Sequence, residues 1–110
     1  MSSKLIAHEV AMDTAIALLP LLRSVRGPYA ELFDQARRAM ASVPLNLAEG
    51  AARNGKARLN HWRIALGSAR ETSSALRLLV GVGAVDSVRG QDLLKRLDRV
   101  QGMTSSLVNR

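Results

Sequence analysis

The chain contains no cysteine. That excludes disulfide bonds, thiolate metal sites and cysteine nucleophiles, and it accords with a reducing compartment. Tyr29, Phe33 and Trp62 are its only aromatic residues. They are too few for a base-stacking platform. The core must therefore be built from Leu, Ala, Val, Ile and Met, which suit closely packed helices better than a β-sandwich. Histidine is limited to His8 and His61, so the Glu-x-x-His pairs of di-iron bundles are absent and no Ser/His/Asp arrangement can be argued. Gly81-Val82-Gly83 is too short for a phosphate-binding loop and lacks its lysine. These absences predict a protein that is not an enzyme and uses no metal or other cofactor. The start lacks a basic region followed by a long apolar run, so no secretory signal is read. The most apolar stretch, Ala15 to Leu22, is shorter than the roughly 20 residues that span a bilayer. The expectation is a soluble, cytoplasmic protein without membrane association.

What is present fits one domain over residues 1–110, because 110 residues with 47 % apolar content can bury a real core. Net charge is +7. Between Arg37 and Arg77 eight basic residues (Arg37, Arg38, Arg53, Lys56, Arg58, Arg63, Arg70 and Arg77) face only Glu49 and Glu71. Most of the positive charge thus sits in this segment. A localised basic field attracts polyanions, nucleic acid first and acidic proteins or anionic lipid next. Solubility alone is the plainer explanation.

Strong helix breakers occur at Gly27-Pro28, at Asn54-Gly55, and from Gly81 to Ser87. The segments between them predict helices over about 4–26, 29–53, 56–80 and 87–108, with Asp86 capping the last and Pro20 kinking the first. Short connections between long helices predict an all-α, antiparallel up-and-down four-helix bundle.

Within the second predicted helix lies Ser42-Val43-Pro44-Leu45-Asn46-Leu47-Ala48-Glu49-Gly50, followed by Arg53. Proline inside a helix removes a backbone donor and disfavours the helix by about 3 kcal/mol. Pro44 either starts a new helix or kinks a continuous one. The spacing of Ala36, Ala39, Met40, Val43, Leu47 and Gly50 favours the kinked, continuous helix. Asn46 and Glu49 fall near one face, where a polar pair would fix bundle register. Arg53, four residues after Glu49, is its natural ion-pair partner. In the third predicted helix, Trp62, Leu66, Ala69, Ser73, Leu76 and Val80 alternate spacings of four and three, as a core seam does. Ile64, Gly67, Ser68, Ala75 and Leu78 fall away from that seam and predict a second buried side, against another subunit. Lys56, Arg63, Arg70 and Arg77 repeat every seven residues and form one cationic stripe. Such a stripe either contacts phosphates or supplies salt bridges to a neighbouring helix.

Gln35-Ala36-Arg37-Arg38-Ala39, the Ser42–Gly50 run with Arg53, and Trp62-Arg63-Ile64-Ala65-Leu66-Gly67-Ser68-Ala69-Arg70-Glu71 together resemble a bacterial four-helix-bundle family. Its members were first noticed as proteins encoded in intervening sequences of 23S ribosomal RNA genes, and the accessory variability protein of diversity-generating retroelements is similar. The resemblance spans about residues 5–107. It implies a homo-oligomeric ring, typically a pentamer, and, from the retroelement relative, work with nucleic acid and a reverse transcriptase.

The sequence therefore predicts a basic, oligomeric accessory protein that binds nucleic acid, RNA in preference to DNA, largely through phosphates. The eight basic residues of the 37–77 segment are the candidate contacts, and Ser42, Pro44, Asn46, Glu49 and Gly50 are a structural motif. The competing expectation is an oligomeric scaffold that docks an acidic protein partner and has no nucleic-acid role.

Overall fold

Ser2 begins the first helix by accepting a hydrogen bond from the Leu5 amide, one of the donors that a helix start leaves unpartnered. The computed structural model describes residues 2–23 and 26–110. Among these are four α-helices, α1 (Ser3–Leu18), α2 (Ala30–Ala51), α3 (Gly55–Gly81) and α4 (Ser87–Val108), and no strand. The first predicted helix is shorter than its apolar pattern suggested. Near Pro20, which has no amide hydrogen, the chain tightens into a 3-10 segment, Leu19–Leu22. The remainder of that expectation includes Ser24 and Val25, which lie outside the described residues. The other bounds agree within two residues. The Asp86 carboxylate accepts from the Arg89 amide and caps α4.

The helices form a bundle in which α1 packs on α2 and α4, and α3 packs on the same two. Thus α1 and α3 occupy opposite corners. The α2–α3 contact is the most extensive. Its core includes Met40, Val43, Leu47, Ala65, Ala69 and Leu76.

The α3 seam is rotated from the predicted one. Trp62, Leu66, Ala69 and Leu76 are buried, but Ser73 and Val80 are only half-buried, and Thr72 and Leu79 are fully enclosed instead. Thr72 tolerates burial because its hydroxyl donates to the Ser68 carbonyl at 2.7 Å. The rotation also corrects two expected interface residues. Ala75 is 5 % exposed and belongs to the protomer core. Ser68 is half-buried and turned toward α2, where its hydroxyl donates to Ser42 Oγ. Only Ile64, Gly67 and Leu78 remain on the outward face.

Pro44 is buried within a continuous α2. It cannot supply the amide that the Met40 carbonyl would otherwise receive. Beside it, Asn46 does not pair with Glu49. Its Nδ2 donates to the Ser42 carbonyl and to Ser42 Oγ, each at 3.0 Å. Its Oδ1 accepts from His61 Nδ1 at 2.9 Å. A polar chain His61–Asn46–Ser42–Ser68 therefore crosses the α2–α3 contact. It satisfies each half-buried group and fixes the register of the two helices.

Gly50 has a separate role. A Cβ there would lie 2.5 Å from Trp62 Cδ1 and 2.6 Å from Nε1. Only a residue without a side chain admits the indole against α2 at this point.

Candidate nucleic-acid interface

The eight basic residues of the 37–77 segment separate by what they touch. Arg37 donates from Nη1 to the Leu22 carbonyl at 2.6 Å and from Nη2 to Asp34 Oδ1 at 2.8 Å. It ties the end of the 3-10 segment to α2. Arg58 donates to the carbonyls of Gly50 and Ala51, at 3.0 and 3.1 Å. Both carbonyls lie at the C-terminus of α2, where a cation meets the negative end of the helix dipole, and the Gly50 carbonyl also accepts from the Arg53 amide. Its guanidinium carbon lies 5.4 Å from the Trp62 ring centroid, a cation–π distance. Arg37 and Arg58 are therefore structural residues, and their expected role as phosphate contacts is withdrawn. A guanidinium already committed to backbone carbonyls has little left to offer a phosphate.

Two further arginines are exposed but paired with carboxylates. Arg38 meets Asp34 Oδ2 at 2.8 Å. Arg53 donates to Glu49 Oε1 from Nη2 at 2.6 Å and from Nε at 3.1 Å. That hydrogen bond, and then the charge of Arg53, hold the Glu49 carboxyl below its ordinary value of 4.5. A folded-state value below the unfolded one makes the pair stabilising at neutral pH. The contribution is lost as pH falls through the lowered value. In an NMR titration, the Glu49 midpoint is expected below 4.5, and Arg53→Ala is expected to move it upward. A midpoint indifferent to Arg53 would show that the pair does not persist in solution.

Lys56, Arg63, Arg70 and Arg77 are all exposed on α3 and have no hydrogen-bond or ion-pair partner among the described residues. Seven residues bring a helix back to nearly the same side, so the four form a single row about 30 Å long. Glu71 is the one acid exposed on this helix. The row can therefore meet a line of phosphates without first breaking internal pairs. His61, half-buried and bonded to Asn46, is the participant in the α2–α3 contact that sequence reasoning missed. Its only signal was its position beside Trp62.

A sequence profile described as 23S rRNA-intervening sequence protein matches residues 3–106. The chain belongs to that family. The intervening-sequence protein fold extends to a solved relative, the crystal structure of a protein of unknown function from the S23 ribosomal protein family of Bacteroides thetaiotaomicron. It aligns with a TM-score of 0.86 over 99 % of this chain and 100 % of that one, at 16 % identity. At that identity the likeness concerns the fold. No curated protein matches the chain.

Proposed function

We propose that this intervening-sequence protein is a non-catalytic, basic, homo-oligomeric accessory protein that binds nucleic acid, RNA in preference to DNA, mainly through phosphates. The observation that carries this reading is the unpaired row Lys56–Arg63–Arg70–Arg77 on the outward side of α3. The family's name, which links it to ribosomal RNA genes, favours RNA. Exposed aromatic surface is confined to Tyr29 among the described residues. Base stacking would contribute little, and sequence preference would be weak.

The bundle is taken to be antiparallel. Gly50 lies near Arg58, Asn46 near His61 and Ser42 near Ser68, so positions descend along α2 as they ascend along α3. A pentameric ring of such protomers in the cytoplasm would multiply the row and add avidity.

The test is RNA binding as a function of salt. Three to four phosphate contacts on a single strand give a log–log slope of about −2 to −3, and about twentyfold to fiftyfold weaker binding at 200 mM than at 50 mM salt. A slope near zero, or no binding at low salt, would overturn the reading and leave the protein-scaffold alternative.

A further inference from the structure

Helix α1 is apolar on nearly every side, yet the bundle covers only one of them. The most apolar 18-residue window within Ser3–Leu22 has a mean hydropathy of 1.6, and only 33 % of it is buried. By length and composition alone, α1 together with the 3-10 segment, Ser3–Leu22, is long and apolar enough to cross a membrane. A helix apolar all round is normally covered all round. Its outward face carries an apolar row, Leu5, Met12 and Ile16, with Ile16 65 % exposed. Beside that row stand two exposed acids, Glu9 and Asp13. The acids argue against lipid as the cover, since carboxylates are expensive at bilayer depth.

The outward face of α3 has the complementary composition. Ile64 and Leu78 are 43 % and 57 % exposed. Arg63, Arg70 and Arg77 flank them, opposed only by Glu71. Between the two rows lies Gly67, where an added Cβ would meet nothing in this chain. Glycine in a helix interior is disfavoured by about 1 kcal/mol, and here the protomer's own packing gives no reason for it. Close approach by another chain does. A depression of about 340 Å³, lined by Ser74, Arg77 and Leu78, opens beside the same face.

We propose that the Leu5–Glu9–Asp13–Ile16 face of α1 docks on the Ile64–Arg70–Leu78 face of α3 in a second copy of this chain, head to tail. This rests on the oligomeric part of the proposed function and names the surfaces that would build it. Seen down each axis from its N-terminus, the acidic row of α1 lies roughly 60° clockwise of its apolar row. The basic row of α3 lies roughly 100° anticlockwise of its own. The two orders mirror each other, so apolar meets apolar and acid meets base when α1 runs parallel to α3 of the neighbour. With Leu5 level with Ile64, Glu9 and Asp13 bracket Arg70, and Ile16 falls nearly one turn before Leu78. Because α1 and α3 occupy opposite corners of the protomer, the contact repeats from copy to copy, as in a ring, instead of closing an isologous dimer. Docking draws on Arg70 and leaves Lys56, Arg63 and Arg77 toward solvent.

Sedimentation equilibrium at micromolar concentration tests this with Glu9→Arg/Asp13→Arg, with Arg70→Glu, and with the two sets combined. The wild type is expected well above the 11.9 kDa protomer mass. Each reversal is expected to weaken assembly about tenfold or more, and the combination to recover most of the loss. All three sites are exposed, so helical circular dichroism is expected to be unchanged. Ile16→Ser provides an uncharged second route to the same loss. A wild type at protomer mass overturns oligomerisation itself, and docking with it. An assembled wild type indifferent to both reversals and to Ile16→Ser overturns the docking faces alone, as does loss without recovery in the combination. If Ile16→Ser abolishes binding to phosphatidylcholine vesicles while self-association persists, the α1 face belongs to lipid and the proposal fails.

Discussion

Replacing Lys56, Arg63 and Arg77 together by glutamate is expected to lower RNA affinity about fiftyfold at physiological salt. Each phosphate contact on a single strand contributes a factor of about four there through counterion release, and three are removed. The log–log salt slope should become shallower by about 2. The magnitude follows from these side chains being exposed and unpaired, so that no internal ion pair offsets their loss. Arg70 is kept in this variant because it stands on the docking face of α3, and changing it would confuse binding with assembly. Arg38→Glu is the internal comparison. Its guanidinium already faces Asp34 at 2.8 Å, so a markedly smaller effect is expected. Fluorescence anisotropy with a labelled RNA measures both. Equal losses from the triple variant and from Arg38→Glu would mean that the α3 row is not the binding surface.

Trp62→Ala is expected to destabilise the protein by about 3–5 kcal/mol, a large part of the 5–15 kcal/mol that holds a domain of this size. Trp62 is 7 % exposed. It fills the junction of α2 and α3, lies under Arg58 and occupies the space that Gly50 leaves. Its Nε1 is buried without a hydrogen-bond partner among the described residues, so packing is what retains it. Gly50→Ala tests the same junction from the other side. In the wild type the added methyl would push a large, rigid ring, and overpacking of this kind destabilises by about 1–3 kcal/mol. Once Trp62 is alanine the conflict with the ring disappears, and only the Arg58 carbonyl oxygen, 3.1 Å from the added Cβ, is left to give way. The substitution should then cost far less than in the wild type, because the helix-propensity gain of alanine over glycine, about 1 kcal/mol, offsets that smaller displacement. Urea denaturation of the four-member cycle reads the coupling directly. Independent, additive effects would show that Gly50 is retained for some reason other than the indole.

Features governed by short-range geometry were legible in the sequence. Asp86 caps α4 through an amide three residues on. Glu49 and Arg53, four apart on one helix, pair as spacing dictates. The seven-residue repeat of Lys56, Arg63, Arg70 and Arg77 lies on one exposed side of α3. Features that depend on how one helix meets another were not legible. Arg58 looked like one more cation until the turn after Ala51 brought it back onto the Gly50 and Ala51 carbonyls. Asn46 looked like a partner for Glu49, but it reaches His61 on the facing helix. Ser68 and Ala75 looked outward because the assumed seam included Ser73 and Val80. Thr72 and Leu79 take the enclosed positions.

By itself the sequence determined the all-α class, three of the four helices to within two residues, and which side of α3 stays charged. Each follows from periodicity, capping chemistry and breaker residues, which act within one or two turns of chain. Only the tertiary structure decided the phase of the α3 stripe against its neighbours. It also decided which cations are committed to backbone carbonyls, and why Gly50 carries no side chain. Periodicity shows that a helix has an apolar side but leaves its rotation about the axis open. That angle is set when Trp62, Gly50 and the Ser42–Asn46–His61 chain lock α2 and α3 together.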